Sequence, residues 1–220
     1  MGVFGSKSQQ KQILLTGPEG AGKTTLLYSM ILRKKEWRAT PTTGFNYEEI
    51  QSERGDRAGV WDVGGSLTTQ MIMSSIYKNV HFSGLLYVIN IDDPEHVNIA
   101  RKELQRLLNE DELRHIQILG LALCFKTYGS MNAGSNSNKQ LQMNNLQGQE
   151  GYNQNKVQDK REMTQDQRLK RKKQLHEDLD LESLNKKITI ISEIFDVVQE
   201  KEERVQFIDN VLKSVNEQGR

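Results

Sequence analysis

Cysteine is nearly absent: Cys124 stands alone among 220 residues. That excludes an intramolecular disulfide and the multi-cysteine zinc patterns, and it fits a reducing compartment. Long apolar runs are missing too. The longest, Gly84 to Ile89 and Ile118 to Phe125, fall far short of the roughly 18 to 20 residues that cross a bilayer. The first residues lack the apolar core of a secretory signal, so a cytoplasmic protein is the expectation. Net charge is almost nil, with 30 Lys plus Arg against 29 Asp plus Glu, a formal +1. No global field draws nucleic acid or an anionic membrane to the whole surface, and partners must be selected locally. The four histidines, His81, His96, His115 and His176, show no metal-ligand spacing. No internal repeat is visible.

Apolar residues are also scarce, at 35%, and the deficit is uneven. Between Met131 and Lys170, 15 of 40 residues are Asn or Gln, without apolar periodicity. Such a stretch buries too little surface to offset its ordering entropy and is expected to be a disordered insertion. We place it at residues 129–174. It divides one domain into 11–128 and 175–220, after a flexible N-terminus of residues 1–10. Without the insertion roughly 175 residues remain, enough for one core with helices on both faces of a sheet.

Outside the insertion, short β-rich runs alternate with amphipathic helical patterns, the signature of an α/β fold with a mostly parallel sheet. Six strands are expected: Gln12 to Thr16, Tyr47 to Ile50, Ala58 to Trp61, Gly84 to Asn90, Ile116 to Leu123 and Lys187 to Ile194. The second and third form a hairpin around Arg54-Gly55-Asp56, antiparallel at one edge. A helix follows from Lys23 to about Lys34. Asp93 and Pro94 supply an N-cap and a first-turn proline for a helix lined by Val97, Ala100, Leu104, Leu107 and Leu108. Ile208, Val211, Leu212 and Val215 mark a closing helix.

One motif carries chemistry. Gly17-Pro18-Glu19-Gly20-Ala21-Gly22-Lys23-Thr24 satisfies G-x-x-x-x-G-K-[ST] directly after a strand and at the opening of a helix. Its glycines let successive backbone N–H groups turn inward around a polyphosphate, and the helix N-terminus adds a positive dipole end. Lys23 then reaches the β- and γ-phosphates, and the Thr24 hydroxyl ligates Mg²⁺. Asp62, ending the strand Val60-Trp61-Asp62, stands where a carboxylate holds that metal, and the Gly65 N–H can touch a γ-phosphate.

The phosphate loop continuing through Thr25, then Pro41-Thr42-Thr43-Gly44-Phe45-Asn46, then Trp61-Asp62-Val63-Gly64-Gly65, resembles the ADP-ribosylation factor (Arf) and Arf-like small GTPases in order and spacing. The likeness runs from about Gln12 to Leu123 and returns more weakly from Leu175 to Val215. It implies the small-GTPase form of the P-loop fold, with GTP or GDP and Mg²⁺ as ligands. Thr42 would join the metal only when a γ-phosphate is present, in switch I, and residues 63 to about 77 would form switch II. The hairpin between them would slide in register, coupling nucleotide state to the N-terminus and to membrane attachment. Exchange factors, activating proteins and effectors would bind through residues 41–77. The setting implied is vesicle or protein trafficking, with the protein peripheral on Golgi or other endomembranes. A monomer is expected.

Two departures from the family stand out. Its water-orienting Gln is replaced by Ser66, too short for that task, so GTP hydrolysis is expected to be very slow. Its Asn-Lys-x-Asp motif is replaced by Phe125-Lys126-Thr127-Tyr128 in the best register, where Lys126 can still stack on a purine, or has Lys126 at the Asp position in an ungapped one; in neither does a carboxylate remain to read guanine. The other reading is therefore a degenerate G-domain acting as an interaction subunit, with weak or no guanine selectivity. A phosphotransferase is disfavoured, since nothing resembles an arginine-bearing lid. Met1-Gly2-Val3-Phe4-Gly5-Ser6 fits the N-myristoylation pattern at Gly2, and one acyl chain with Val3, Phe4, Lys7 and Lys11 gives only reversible attachment. Lys156 to Lys173 carries eight basic residues against three acidic ones but no interleaved aromatics. It reads as a solvated helix face or loop tail, not a nucleic-acid surface.

Overall fold

The computed structural model describes residues 10–31, 42–64, 67–125, 163–184, 187–196 and 200–218. Among them lie strands β1 (Lys11–Thr16), β2 (Phe45–Gln51), β3 (Arg57–Val63), β4 (Phe82–Asn90), β5 (Ile118–Phe125) and β6 (Thr189–Asp196). The helices are α1 (Lys23–Ile31), α2 (Leu67–Asn79), α3 (Pro94–Asn109), α4 (Gln165–Asp178) and α5 (Lys201–Glu217). The strands make one sheet in the order β2-β3-β1-β4-β5-β6, parallel except for the β2/β3 hairpin. The expected six-stranded α/β architecture is therefore present.

The sheet has a helical layer on each side because its central strands are apolar on both faces. Leu14 of β1 points into the core beneath α2, α3 and α4 with Tyr87, Leu104, Leu121 and Leu175. Its neighbours Ile13 and Leu15 point the other way, joining Leu26, Leu27, Phe207, Val211 and Val215 of α1 and α5. Period-two alternation along a strand thus separates the two cores. Two glycines set how closely α5 lies on the sheet. A Cβ at Gly84 would come within 2.8 Å of a Val215 methyl, and one at Gly120 within 2.9 Å of a Val211 methyl.

Local chemistry fixes the ends of the elements. Asp93 caps α3 by accepting from the Glu95 N–H at 3.0 Å, and Pro94 occupies the first turn. Gly55, at φ 91°, turns the β2/β3 hairpin as anticipated.

The structure corrects three expectations. β5 and β6 each extend to Phe125 and Asp196, past the ends read from the sequence, because their last residues stay paired, Leu123 with Ile194 and Phe125 with Asp196. Residues 67–79, read only as part of switch II, form a helix. The segment 129–174, read as a disordered insertion whose basic end is a helix face or loop tail, holds the first part of α4, so helix begins at Gln165. The cause is a capping box: the Gln167 N–H donates to Thr164 Oγ1 at 3.3 Å, and the Thr164 N–H donates back to Gln167 Oε1 at 2.9 Å. The basic run Lys170 to Lys173 lies on this helix, with Leu175 buried beneath it. Residues 126–162 are outside the described residues.

Replacing Gly120 by Val forces branched carbons against Val211 and Leu86, 2.9 and 3.0 Å from the added Cβ. We expect a loss of about 1–3 kcal/mol, read as a lower urea midpoint at unchanged slope.

Candidate functional site

The loop between β1 and α1 can take its path only with glycine at its corners. Gly17, Gly20 and Gly22 have φ of 140°, 78° and 99°, a region that costs other residues strain. At Gly17 a Cβ would also lie 2.2 Å from the Val88 carbonyl oxygen. Pro18 is buried with Gly17, Glu19 and Gly20 are exposed at the tip, and Ala21 is buried again. The Leu26 N–H donates to the Gly22 carbonyl at 2.8 Å, starting the helical ladder. Thr25 is half-buried in that first turn.

Lys23 is 6% exposed, and its ammonium folds back over the loop to donate to the carbonyls of Gly17 at 2.8 Å and Pro18 at 2.9 Å. Burial pulls its pKa down, while the charges of Asp62, Glu103 and Glu19 oppose that pull. A bound polyphosphate would give this buried cation an anionic partner.

Three chain segments meet at Asp62, whose side chain is fully buried. The Thr24 hydroxyl donates to Asp62 Oδ2 at 2.7 Å, Asn46 Nδ2 donates to the same oxygen at 3.3 Å, and the Thr42 hydroxyl lies 2.9 Å from that of Thr24. Asp62 Oδ1 has no hydrogen-bond partner. Burial raises the Asp62 pKa against the hydrogen bonds of Thr24 and Asn46 and the charge of Lys23. A buried carboxylate oxygen without a donor is costly. Here it sits beside two hydroxyls, an all-oxygen set suited to a hard divalent cation. Thr24, Thr42 and Asp62, assigned to Mg²⁺ from the sequence, are thus brought together, and they fit the ion.

Asn46 was quoted in a motif without a role, and sequence reasoning missed its contact with Asp62. Its only signal was position: it pairs with Asp62 across the hairpin. Gly64 was missed as well. Its N–H donates to the Gly44 carbonyl at 2.9 Å, and a Cβ there would lie 2.3 Å from the Thr42 carbonyl oxygen. Only glycine lets the Thr42–Gly44 segment lie on the end of β3. Gly2, Gly65, Ser66 and Lys126 are outside the described residues. Among the described residues no group of three or more His, Cys, Asp or Glu side chains could hold a metal ion by itself.

The family model described as Arf, ADP-ribosylation factor family, matches residues 1–179. Among solved structures, the chain is similar to the Arl6 BBS3 small GTPase from Trypanosoma brucei with a bound nucleotide analogue, GppNp. The TM-score is 0.59 at 16% identity, over 94% of this chain and 98% of that one. At that identity the likeness is one of fold.

Asp62→Asn removes the buried charge. Because burial raises the carboxyl above its ordinary value of 3.8, the metal-free protein holds the ionised form at a cost that grows as pH rises from there. In chelator the variant should melt above the parent at neutral pH, with the gap closing as pH falls toward that value. Its magnesium-dependent nucleotide affinity, measured by calorimetry, should fall about tenfold or more.

Proposed function

Because this chain belongs to the ADP-ribosylation factor family, whose members are GTP-binding switches, we propose that it is a magnesium-dependent switch that hydrolyses GTP slowly and serves vesicle or protein trafficking. The observation that carries this reading is the meeting of Thr24, Thr42 and Asp62 around an unpartnered carboxylate oxygen. Thr24 and Asp62 lie on fixed elements, α1 and β3, whereas Thr42 lies on the segment leading into β2. A ligand that recruits Thr42 therefore acts on the hairpin.

Each residue has a definite task in this scheme. The loop amides and Lys23 hold the phosphates, and Thr24, Thr42 and Asp62 supply oxygens to the metal. Mg²⁺, when bound, neutralises charge shared by the β- and γ-phosphate oxygens. Thr42 approaching that point lays Gly44 on Gly64 and accompanies the register in which Phe45 faces Val63 and Tyr47 faces Trp61. That register displays an aromatic surface. Phe45 and Tyr47 are 43% and 41% exposed, and each ring centroid lies 5.2 Å from that of Trp61. Exposed aromatic rings supply binding energy at interfaces, so exchange factors, activating proteins and effectors are assigned to residues 41–77. A myristoyl group on Gly2 would give reversible contact with Golgi or other endomembranes from the cytoplasm.

Slow hydrolysis follows from Ser66, which lacks the reach and amide of the family's Gln. The same residue favours a second reading, in which the domain is an interaction subunit and its nucleotide is structural. Limited trypsin digestion separates the two. Different cleavage within residues 41–77 in GTP and GDP supports the switch, and identical patterns support the subunit. Lys23→Ala should abolish nucleotide binding in calorimetry. In single-turnover assays Ser66→Gln should raise the hydrolysis rate about tenfold or more. An unchanged rate would refute the role given to this position.

A further inference from the structure

The metal oxygens fix which way a nucleotide runs across the sheet. Thr24, Thr42 and Asp62 lie on the β3 side of the phosphate loop, so a metal held by them would place the phosphate end of a nucleotide on that side. The nucleoside therefore extends the other way, over the carboxyl ends of β4, β5 and β6, where ligands of such sheets lie. Those ends are Asn90, Phe125 and Asp196.

Arg168, from the first turn of α4, spans the ends of β5 and β6. Its Nε donates to the Met163 carbonyl at 3.2 Å, and one terminal nitrogen donates to the Ile194 carbonyl at 3.2 Å and to Glu200 Oε2 at 3.0 Å. The other terminal nitrogen donates to Glu200 Oε1. The guanidinium carbon sits 5.8 Å from the centroid of the Phe125 ring. Glu200 Oε2 also accepts the Asp196 N–H at 2.8 Å, and the Glu200 N–H returns to the Asp196 carbonyl at 3.2 Å. The two side chains are 19% and 20% exposed. Asp196 is 2% exposed, and its charge is the strongest influence opposing the effect of burial on the guanidinium of Arg204, itself 3% exposed.

Guanine differs from adenine by presenting N1–H and N2–H₂ donors, and a carboxylate rewards them only if it is not already engaged. At the described ends of β5 and β6, both oxygens of Glu200 are engaged by Arg168, and Asp196 is buried. A site without such an acceptor loses most of its means of rejecting adenine.

We propose that the Arg168–Glu200 ion pair is the base-end determinant of this site: by holding the carboxylate that guanine would need, it leaves a pocket that grips purine nucleoside triphosphates through phosphate and metal with little preference for guanine. This rests on the nucleotide-binding reading given above and makes Arg168 a specificity residue acting through Glu200.

The test is calorimetry on the full chain with magnesium and the non-hydrolysable β,γ-imido analogues of GTP and ATP. The parent should bind the two within about threefold of each other. Arg168→Met keeps length and removes charge, freeing Glu200, and should raise the GTP:ATP preference about tenfold or more, as expected of a charge-assisted hydrogen bond. Adding Glu200→Gln to that variant should cancel the gain. A purely structural role for the pair would weaken both nucleotides together and leave the ratio unchanged, which would overturn the proposal. A parent that prefers GTP by about a hundredfold would also overturn it, and that measurement decides alone if Arg168→Met fails to fold. Binding of neither nucleotide would overturn the underlying nucleotide reading as well, whereas tight guanine-selective binding would refute this inference only.

Discussion

The structure turns on a carboxylate that is buried without enough partners. Asp62 holds one oxygen against Thr24 and Asn46 and leaves the other without a donor. A stability-driven design would have replaced it with an apolar residue or supplied another N–H. Its place beside Lys23, a cation whose only described hydrogen-bond acceptors are loop carbonyls, suits a common partner for both charges. A polyphosphate with a divalent cation fits that description: the anion would answer Lys23 and the metal Asp62.

This site is joined to the hairpin by contacts that only glycine permits. Thr42 approaches Thr24, and two residues on, Gly44, itself at φ 90°, receives the Gly64 N–H. The β2/β3 pairing and the aromatic surface of Phe45, Tyr47 and Trp61 follow from that attachment. Trp61 is further tied to β1, its Nε1 donating to Gln12 Oε1 at 2.8 Å. A change in metal occupancy thus has a short covalent and hydrogen-bonded route to a surface that a partner could read, which is the connection a switch requires.

Much of this was legible in the sequence because its causes are local. The phosphate loop is a contiguous string whose glycines and Lys-Thr pair have individual conformational or chemical reasons, and the α3 cap is a dipeptide, Asp93-Pro94. Apolar runs such as residues 84–90 suit buried strands. Most of what escaped depends on residues distant in the chain. The start of α4 is the local exception: the Asn/Gln-rich composition around it obscured the capping box Thr164-x-x-Gln167. The Arg168–Glu200 pair spans 32 positions, and nothing in the basic run marked Arg168 as the residue turned inward. Asn46 and Gly64 take on meaning only once the hairpin register is known.

The base end brings these strands together. The phosphate half of the site has its loop and metal oxygens in place, whereas at the described ends of β5 and β6 the Glu200 carboxylate is held in an ion pair with Arg168. Coupling from phosphate and metal to the hairpin does not need the base, so a switch can tolerate that pairing. The most direct measurement is amide hydrogen exchange at Gly64 with magnesium and a non-hydrolysable GTP analogue against GDP. Strong protection with the triphosphate and its loss with the diphosphate are predicted, since Thr42 and Gly44 move together. Equal protection in both states would contradict the coupling on which the account depends.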